Sequence, residues 1–480
     1  MATDNALPLE VLLARLATVV GAEHARELPK GARYGALLPS GLARRARPRA
    51  VVTPASAEQI QQLVGQVPRL AHEIWWSPDA SGHGAQVGDG RRPAVLLDLS
   101  RLARIVEVDR HDGCAVLDAG VSHTALHAHL RERDLPFRCE TEANGASAVL
   151  GTLLEERWSV GPWGEREAFY CGFEAVLPNG TLLRTGMGAL AGSDTWARTR
   201  YAYGPALDGL CGHGGLGIVT RYGLWLAPRP RQLLPFAARL ADDSAVAQAV
   251  EALRPLQLTG TVPGTVGIAN ERAAAALVVA GGGKAEASSG WRLWGALAGH
   301  AQRVAAAANA LRAALPALRF GDDAEPANDP AWQARLRLLA GEPLFDDLVG
   351  ERVAALCFTA VAPPTAADAR AQLALVGKRL AQVEPRAELR VGARALLLEV
   401  TVESTAKTFA TRRAALQSAM NALVDAGYGI TRATPLLERA VRMRQADDDQ
   451  RELARRLRAA LDPYAPRRAA SSGAARRRSS

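Results

Sequence analysis

Residues 6–26 carry apolar positions at helical spacing and predict one amphipathic helix. A Gly-, Pro- and Arg-rich loop follows to about residue 49. Val51–Val52 then opens an α/β unit, in which Ser56 caps a helix carrying Ile60, Leu63 and Val64. Ile74–Trp76 reads as a strand running into the polar, turn-rich loop Ser77–Gly84. Ala94–Asp98 reads as a buried strand. Ile105–Val108 and Ala115–Asp118 form two more, split by a turn at Arg110–Gly113. Ser122 caps a helix to about Glu132, and Glu142–Gly151 is a stretch of small residues. Phe169–Val176 and Gly180–Arg184 make a hairpin on Asn179–Gly180, the strongest hairpin signal in the chain. A glycine-dense run from Gly204 to Gly217 leads into strand-like Leu216–Leu226. Such a run either lets a ligand approach bare backbone or simply joins two strands.

The pattern changes after Pro230. Strands are expected at Leu233–Arg239, Val262–Ala269, Leu277–Ala280, Val353–Val361 and Ala395–Val402. Helices are expected from Asp242 or Asp243 to about Leu253, at Glu271–Ala275, and over residues 298–315, 330–340, 366–382 and 407–426. This alternation predicts helices packed on one antiparallel sheet, unlike the first half. Gly427–Arg432 and a helix around Asp447–Leu461 close the pattern.

A chain of 480 residues is long enough for two or three domains. It has no run of eighteen apolar residues, so no membrane span is expected, and no signal peptide is read at the N-terminus. The formal charge of +9 is dispersed except in the arginine-rich last fifteen residues, which argues against nucleic-acid binding. Five cysteines are scattered without a CxxC, so neither a disulfide framework nor a zinc site is expected. His123 and His127 would share a helix face, but no metal is expected.

Several segments in matching order carry a family likeness. They are Thr53–Ser56, Ile105–Asp109, Val116–Val121, Gly161–Glu165, Gly172–Gly180, Arg184–Gly188, Tyr203–Pro205, Asp208–Leu210, Gly217–Thr220 and Gly427–Gly429 with Arg432. On these, the sequence resembles the flavoprotein family of vanillyl-alcohol oxidase and 4-cresol dehydrogenase. The likeness is dense over residues 105–228 and thin over 230–420.

The resemblance implies an α+β protein with a PCMH-type FAD-binding fold: two α/β subdomains and an α+β cap of helices on an antiparallel sheet. The expected layout is an N-terminal helix and loop (1–44), the FAD-binding domain (45–229), the substrate or cap domain (230–426), a C-terminal segment returning to the FAD domain (427–466) and a disordered basic tail (467–480). The implied cofactor is FAD, held without a covalent bond, because residues 301–420 contain no His or Tyr. The implied cofactor-binding residues are Ser81, Gly82, His83, Gly84, Gly145, Ala146, Ser147, Gly151, Gly161, Gly164, Gly217, Ile218 and Val219. The implied catalytic residues are Glu165, Arg432, Tyr428 and Thr431, with Arg432 on a phenolate or carboxylate oxygen and Glu165 as a proton acceptor. Thr431 stands where the family carries a phenol-activating tyrosine. Asp79 falls in the shortened diphosphate loop, where its charge is repulsive unless it points away.

The implied function is oxidation of a small aromatic alcohol or 4-alkylphenol, with hydride passing to FAD. The alternatives are a D-2-hydroxy-acid dehydrogenase and a non-catalytic scaffold of the same fold. A small organic substrate, a homodimer, an electron-acceptor protein and a cytoplasmic location complete the expectation.

Overall fold

The computed structural model describes residues 7–28, 47–79, 93–155, 166–211, 216–280, 290–325, 329–345, 354–405, 407–434 and 448–463, with short pieces at 82, 85–87, 158–161, 164, 437, 440–441 and 444. The N-terminal helix α1 (Leu9–Val20) is shorter than the apolar pattern predicts. Gly21 at φ +93° stops it, and the chain turns into strand β1 (Ala25–Glu27) instead of continuing helical to residue 26.

The first subdomain is a four-stranded sheet in the order β1, β2 (Ala50–Val52), β4 (Ala94–Asp98), β3 (Glu73–Ser77). β4 pairs in parallel with both β2 and β3. Helix α2 (Ala57–Gln66) makes the first crossover. The Ser56 hydroxyl accepts from the Gln59 amide, the Gln59 side chain accepts from the Ala55 amide, and Ile60, Leu63 and Val64 are buried.

The second subdomain is a five-stranded antiparallel sheet in the order β5 (Ile105–Val108), β6 (Cys114–Asp118), β10 (Ile218–Trp225), β8 (Tyr170–Val176), β9 (Leu182–Arg184). β10 is its middle strand, and Tyr222 is fully buried there. A side chain at Gly223 would meet the Cys171 carbonyl at 2.2 Å, so only glycine lets β8 and β10 close. Helices α3 (His123–Glu132) and α4 (Val149–Leu154) and the small pair β7 (Phe137–Arg138) with β11 (Ala227–Pro228) complete this half. Between the subdomains, a Cβ on Gly120 would lie 2.4 Å from the Leu99 carbonyl, so this glycine sets their contact.

The second half is one eight-stranded sheet, antiparallel at every pairing among the described residues. Its order is β15 (Arg319–Phe320), β12 (Gln232–Leu240), β14 (Trp291–Gly299), β13 (Val266–Asn270), β17 (Arg386–Val391), β18 (Leu396–Ser404), β16 (Ala354–Ala362), β19 (Gly429–Ala433). Helices α5 (Asp243–Leu258), α7 (Ala301–Ala314), α9 (Ala366–Leu380) and α10 (Phe409–Asp425) cover one face and form the largest core with it. Helices α6 (Glu271–Ala280) and α8 (Pro330–Ala340) lie against the other face, and α11 (Asp448–Leu461) follows β19.

Four expectations are corrected here. α5 runs through Pro255 to Leu258 rather than stopping near Leu253. Glu271–Ala280 is one helix, not a short helix and a strand: Asn270 accepts from the Ala273 amide at its start, and Ala274 and Val278, one turn apart, pack together on Ala331. β14 and β17 were not foreseen. β14 is buried on both faces along most of its length and shows no alternation. β17 alternates, but its outward set is Arg386, Glu388 and Arg390, which reads as polar loop. Finally, Gly429–Ala433 was expected to return to the FAD domain, yet it forms the edge strand of the cap sheet.

No helix among the described residues is long and apolar enough to cross a membrane.

Candidate active site

A row of side chains crosses the cap sheet on the face opposite the four-helix layer. Strand pairing sets Arg292, Ala269, Glu388, Glu399, Thr359 and Arg432 side by side on β14, β13, β17, β18, β16 and β19. Two glutamates facing each other across a strand pair repel. Arg390 offsets this by reaching Glu399 at 3.2 Å and Glu388 at 3.7 Å.

Arg432 reaches this face because of a bulge. Ile430 pairs with Ala360 and Arg432 with Thr359, which leaves Thr431 as the extra residue. Ile430 and Ala360 lie in the helix-side core. Without the bulge, Arg432 would share that side with Ile430; the inserted residue turns it to the other face. There it binds Glu399 at 3.4 Å and, across the domain boundary, Glu155 at 2.8 Å, just beyond the end of α4. Arg432 is buried.

Two members of the row, Glu388 and Glu399, line a cavity of about 340 Å³ between the FAD-binding half and the cap, and Arg432 stands behind Glu399. That size suits a small organic molecule. Glu388, Glu399 and Arg390 line it from the cap sheet, Leu277 and Leu339 from α6 and α8, and Trp158 from the FAD-binding half. The Gly161 amide and carbonyl both bond Thr265, so a strand-like bridge fastens the 158–161 segment to the cap.

The expected catalytic residues do not all meet here. Tyr428 donates to Asp368 of α9 at 3.0 Å, packed against the helix-side core and away from Arg432. Burial and then this bond raise its pKa. The Thr431 hydroxyl turns back to the Thr359 carbonyl at 3.5 Å. Glu165 lies outside the described residues.

The expected cofactor residues fall into four groups. Gly82 sits in the left-handed region at φ +75°, in the loop after β3; its neighbours Ser81, His83 and Gly84 lie outside the described residues. The Gly145, Ala146, Ser147 and Gly151 amides bond the Phe345 carbonyl, the Asn144 side chain, the Asn144 carbonyl and the Ala148 carbonyl, respectively. These bonds brace the 144–151 turn. Gly161 and Gly164, at φ +125° and +73°, shape the loop at the domain boundary. Gly217, Ile218 and Val219 lead into and start β10, where Ile218 and Val219 pair with β8; a Cβ on Gly217 would press on Cys211 Sγ at 3.2 Å.

Asp79 is buried and its carboxylate accepts the Ala148 amide at the start of α4, so the charge points away from the loop that follows it. The contact ties the β3 loop to the 144–151 turn. A carboxylate also suits the amide end of a helix. Gly82, three residues after Asp79, is in the left-handed region and can present bare backbone, which suits a dinucleotide's phosphates.

The comparisons agree with this fold. Residues 48–186 match the family described as FAD binding domain. The chain is 33% identical over 225 residues to the 4-cresol dehydrogenase [hydroxylating] flavoprotein subunit of Pseudomonas putida, covering 46% of this chain and 43% of that one. It is also 33% identical over 276 residues to 1'-carboxy-chondrochloren decarboxylase of Chondromyces crocatus, covering 56% and 49%. The chain spans about half the length of these curated relatives. Among solved structures, a 4-ethylphenol oxidase from Gulosibacter chungangensis superposes with a TM-score of 0.83 at 22% identity, over 97% of this chain and 96% of that one. Residues 48–186 thus match an FAD binding domain, and the whole chain has the PCMH-type fold of the 4-ethylphenol oxidase. In sequence it is similar to the 4-cresol dehydrogenase flavoprotein subunit over about half of its length.

Sequence reasoning missed Glu155, Glu388, Arg390, Glu399 and Arg335 as site residues. A signal existed for two of them. Glu399 is a lone acid inside the apolar strand Leu396–Val402, and Arg335 sits between Trp332 and Leu339 on the buried face of α8.

Proposed function

We propose that this protein oxidises a small 4-alkylphenol or aryl alcohol, with FAD as the hydride acceptor. When bound, FAD supplies the electron-pair acceptance that no side chain can. The observation that carries the reading is Arg432, turned by a strand bulge onto Glu399, which lines a cavity between the FAD-binding half and the cap. Its guanidinium suits the phenolate oxygen of a bound substrate. Glu155 and Glu399 hold it in place before substrate arrives, so little ordering is left for the binding step. Glu165 is the proposed acceptor of the proton released as the benzylic carbon is oxidised. Thr431 acts through the bulge, by aiming Arg432, rather than as a proton partner. Gly82, with Ser81, His83 and Gly84, is assigned to the diphosphate, and Asp79 keeps that loop against the 144–151 turn.

The names of the relatives support this class: one is a 4-cresol dehydrogenase flavoprotein subunit and one a 4-ethylphenol oxidase. FAD is held without a covalent bond to the cap, since residues 301–420 contain no His or Tyr. Electrons leave to a partner protein or to oxygen. The cytoplasm remains the expected location, on five cysteines scattered along the sequence without a CxxC.

The test is the purified protein's spectrum, followed by oxygen-free mixing with 4-cresol, vanillyl alcohol, D-lactate and mandelate. The reading expects a yellow protein bleached by the phenols, with all flavin released on acid precipitation. Bleaching by D-lactate alone would replace it with the hydroxy-acid reading, and a colourless protein that takes up no FAD would leave only a scaffold. Repeating the assay in air separates oxidase from dehydrogenase.

A further inference from the structure

Arg335 lines the same cavity from α8 and is 4% exposed. Its guanidinium stacks over the Trp294 ring, 4.3 Å from the centroid. Among the described residues, neither its Nε nor its Nη1 finds a hydrogen-bond acceptor, and neither does the Nε1 of Trp294. Burial pulls the Arg335 pKa down to about 10, the mark of a charge stripped of water. Arg386, on the same lining, likewise leaves its Nε without a partner, although its Nη2 pairs with Glu403 at 3.1 Å. Buried donors without acceptors are costly, and a native protein keeps few of them. Three side chains with such donors, Arg335, Trp294 and Arg386, line this one cavity.

The scaffold holds these donors firmly. Trp294 lies flat over Gly267, where a Cβ would sit 2.6 Å from its Nε1. The C-terminal end of α8 is fixed to the FAD-binding half, because buried Arg138 donates to the Leu339 carbonyl. Gly341 at φ +82° then ends the helix against the Cys139 carbonyl. Arg390, by contrast, already has Glu388 and Glu399. Glu140, Glu142, Glu388 and Glu399 also line the cavity but bond none of these donor atoms, so the missing group is an acceptor able to serve more than one donor. A carboxylate has two oxygens and room for several bonds, whereas a phenolate has one oxygen.

We propose that Arg335 and Trp294 form a carboxylate-binding subsite, so that the aromatic substrate of this protein carries an acid group besides its oxidisable carbon. This proposal rests on the reading of the cavity as the substrate site of a flavoenzyme.

The test uses the FAD-loaded protein and two probes differing only in charge, 4-hydroxyphenylacetate and its methyl ester. Binding is read by calorimetry and by flavin difference spectra, neither of which needs turnover. The wild type should prefer the acid. The acid-to-ester preference should fall about tenfold or more in Arg335→Met, in line with loss of a charged hydrogen bond, and return in part in Arg335→Lys. A wild type that binds both probes equally would overturn the proposal without any variant. So would an Arg335→Met protein that keeps the full preference, or one that loses FAD instead, which would assign the arginine to the cofactor. If the phenol panel bleaches the flavin and the acid shows no preference, this subsite alone is wrong. If the acid is preferred and nothing bleaches the flavin, the oxidation reading alone is wrong.

Discussion

The two halves of this protein handle buried charge differently. In the five-stranded sheet of the FAD-binding half, two buried acids have partners that reach water. Asp118 on β6 is buried and holds Arg221 at 2.9 Å and Arg104 at 2.8 Å, the latter 71% exposed. Glu174 on β8 is buried and pairs with half-exposed Arg184. These acids stitch neighbouring strands from inside. On the cavity side of the cap two cations, Arg432 and Arg335, are buried, and the carboxylates beside Arg432 are only partly buried. The first arrangement serves the sheet, since a freed arginine can simply hydrate. The second lies at and beside a cavity, and removing Arg432 leaves two carboxylates close together, 13% and 21% exposed and so less able to hydrate.

That difference orders the expected effects of substitution. Arg432→Met should cost most, about 3–5 kcal/mol in urea unfolding, because Glu155 and Glu399 are left facing each other. Adding Glu155→Gln should return part of the loss; two strictly additive losses would show that Arg432 and Glu155 do not act as a pair. Gly267→Ala comes next. Its Cβ would press on Trp294 Nε1 at 2.6 Å and should cost about 1–3 kcal/mol while weakening ligand binding in the cavity. The matching change in the other half, Gly172→Ala, also meets a tryptophan, Trp196 at 2.5 Å, and at φ +73°. It should lower the melting temperature and leave ligand affinity alone. Equal effects of the two glycine variants on affinity would erase the contrast between the halves.

Asp118→Asn should cost less, about 1–2 kcal/mol, and affect stability only. Tyr428→Phe should cost least, about 1 kcal/mol, through the lost bond to Asp368. Its pH signature is specific. The folded-state pKa of Tyr428 is raised, so its contribution is present below the ordinary tyrosine pKa and is lost as pH rises through the raised value. The wild type should therefore lose stability relative to Tyr428→Phe in alkali, as read by denaturation curves above and below pH 10. A Tyr428→Phe protein with normal stability and impaired flavin reduction would restore that tyrosine to the active site.

How far the sequence could be read follows the same divide. The FAD-binding half was legible because its signals are local: Ser56 and Ser122 cap the helices expected of them, and Asn179–Gly180 turns the expected hairpin. The cap yielded its amphipathic helices and hid two strands. β14 is buried on both faces, and β17 spends its polar alternation on the cavity wall, so neither shows the usual half-buried pattern. Arg432 was found through a resemblance, but its direction was beyond sequence reading. A one-residue bulge decides it, and nothing in Gly-Ile-Thr-Arg-Ala announces which residue is extra. Glu155 was out of reach for a different reason: its partnership with Arg432 crosses between domains and depends on how they dock.

The central claim is that Arg432, aimed by that bulge, holds the substrate at the cavity where oxidation occurs. Oxygen-free rapid mixing with 4-ethylphenol tests it most directly, with wild type, Arg432→Lys and Arg432→Met compared at equal FAD content. The account predicts bleaching of the wild-type flavin, slowing of about a hundredfold or more in Arg432→Met, and an intermediate rate in Arg432→Lys. Bleaching of Arg432→Met at the wild-type rate would contradict it.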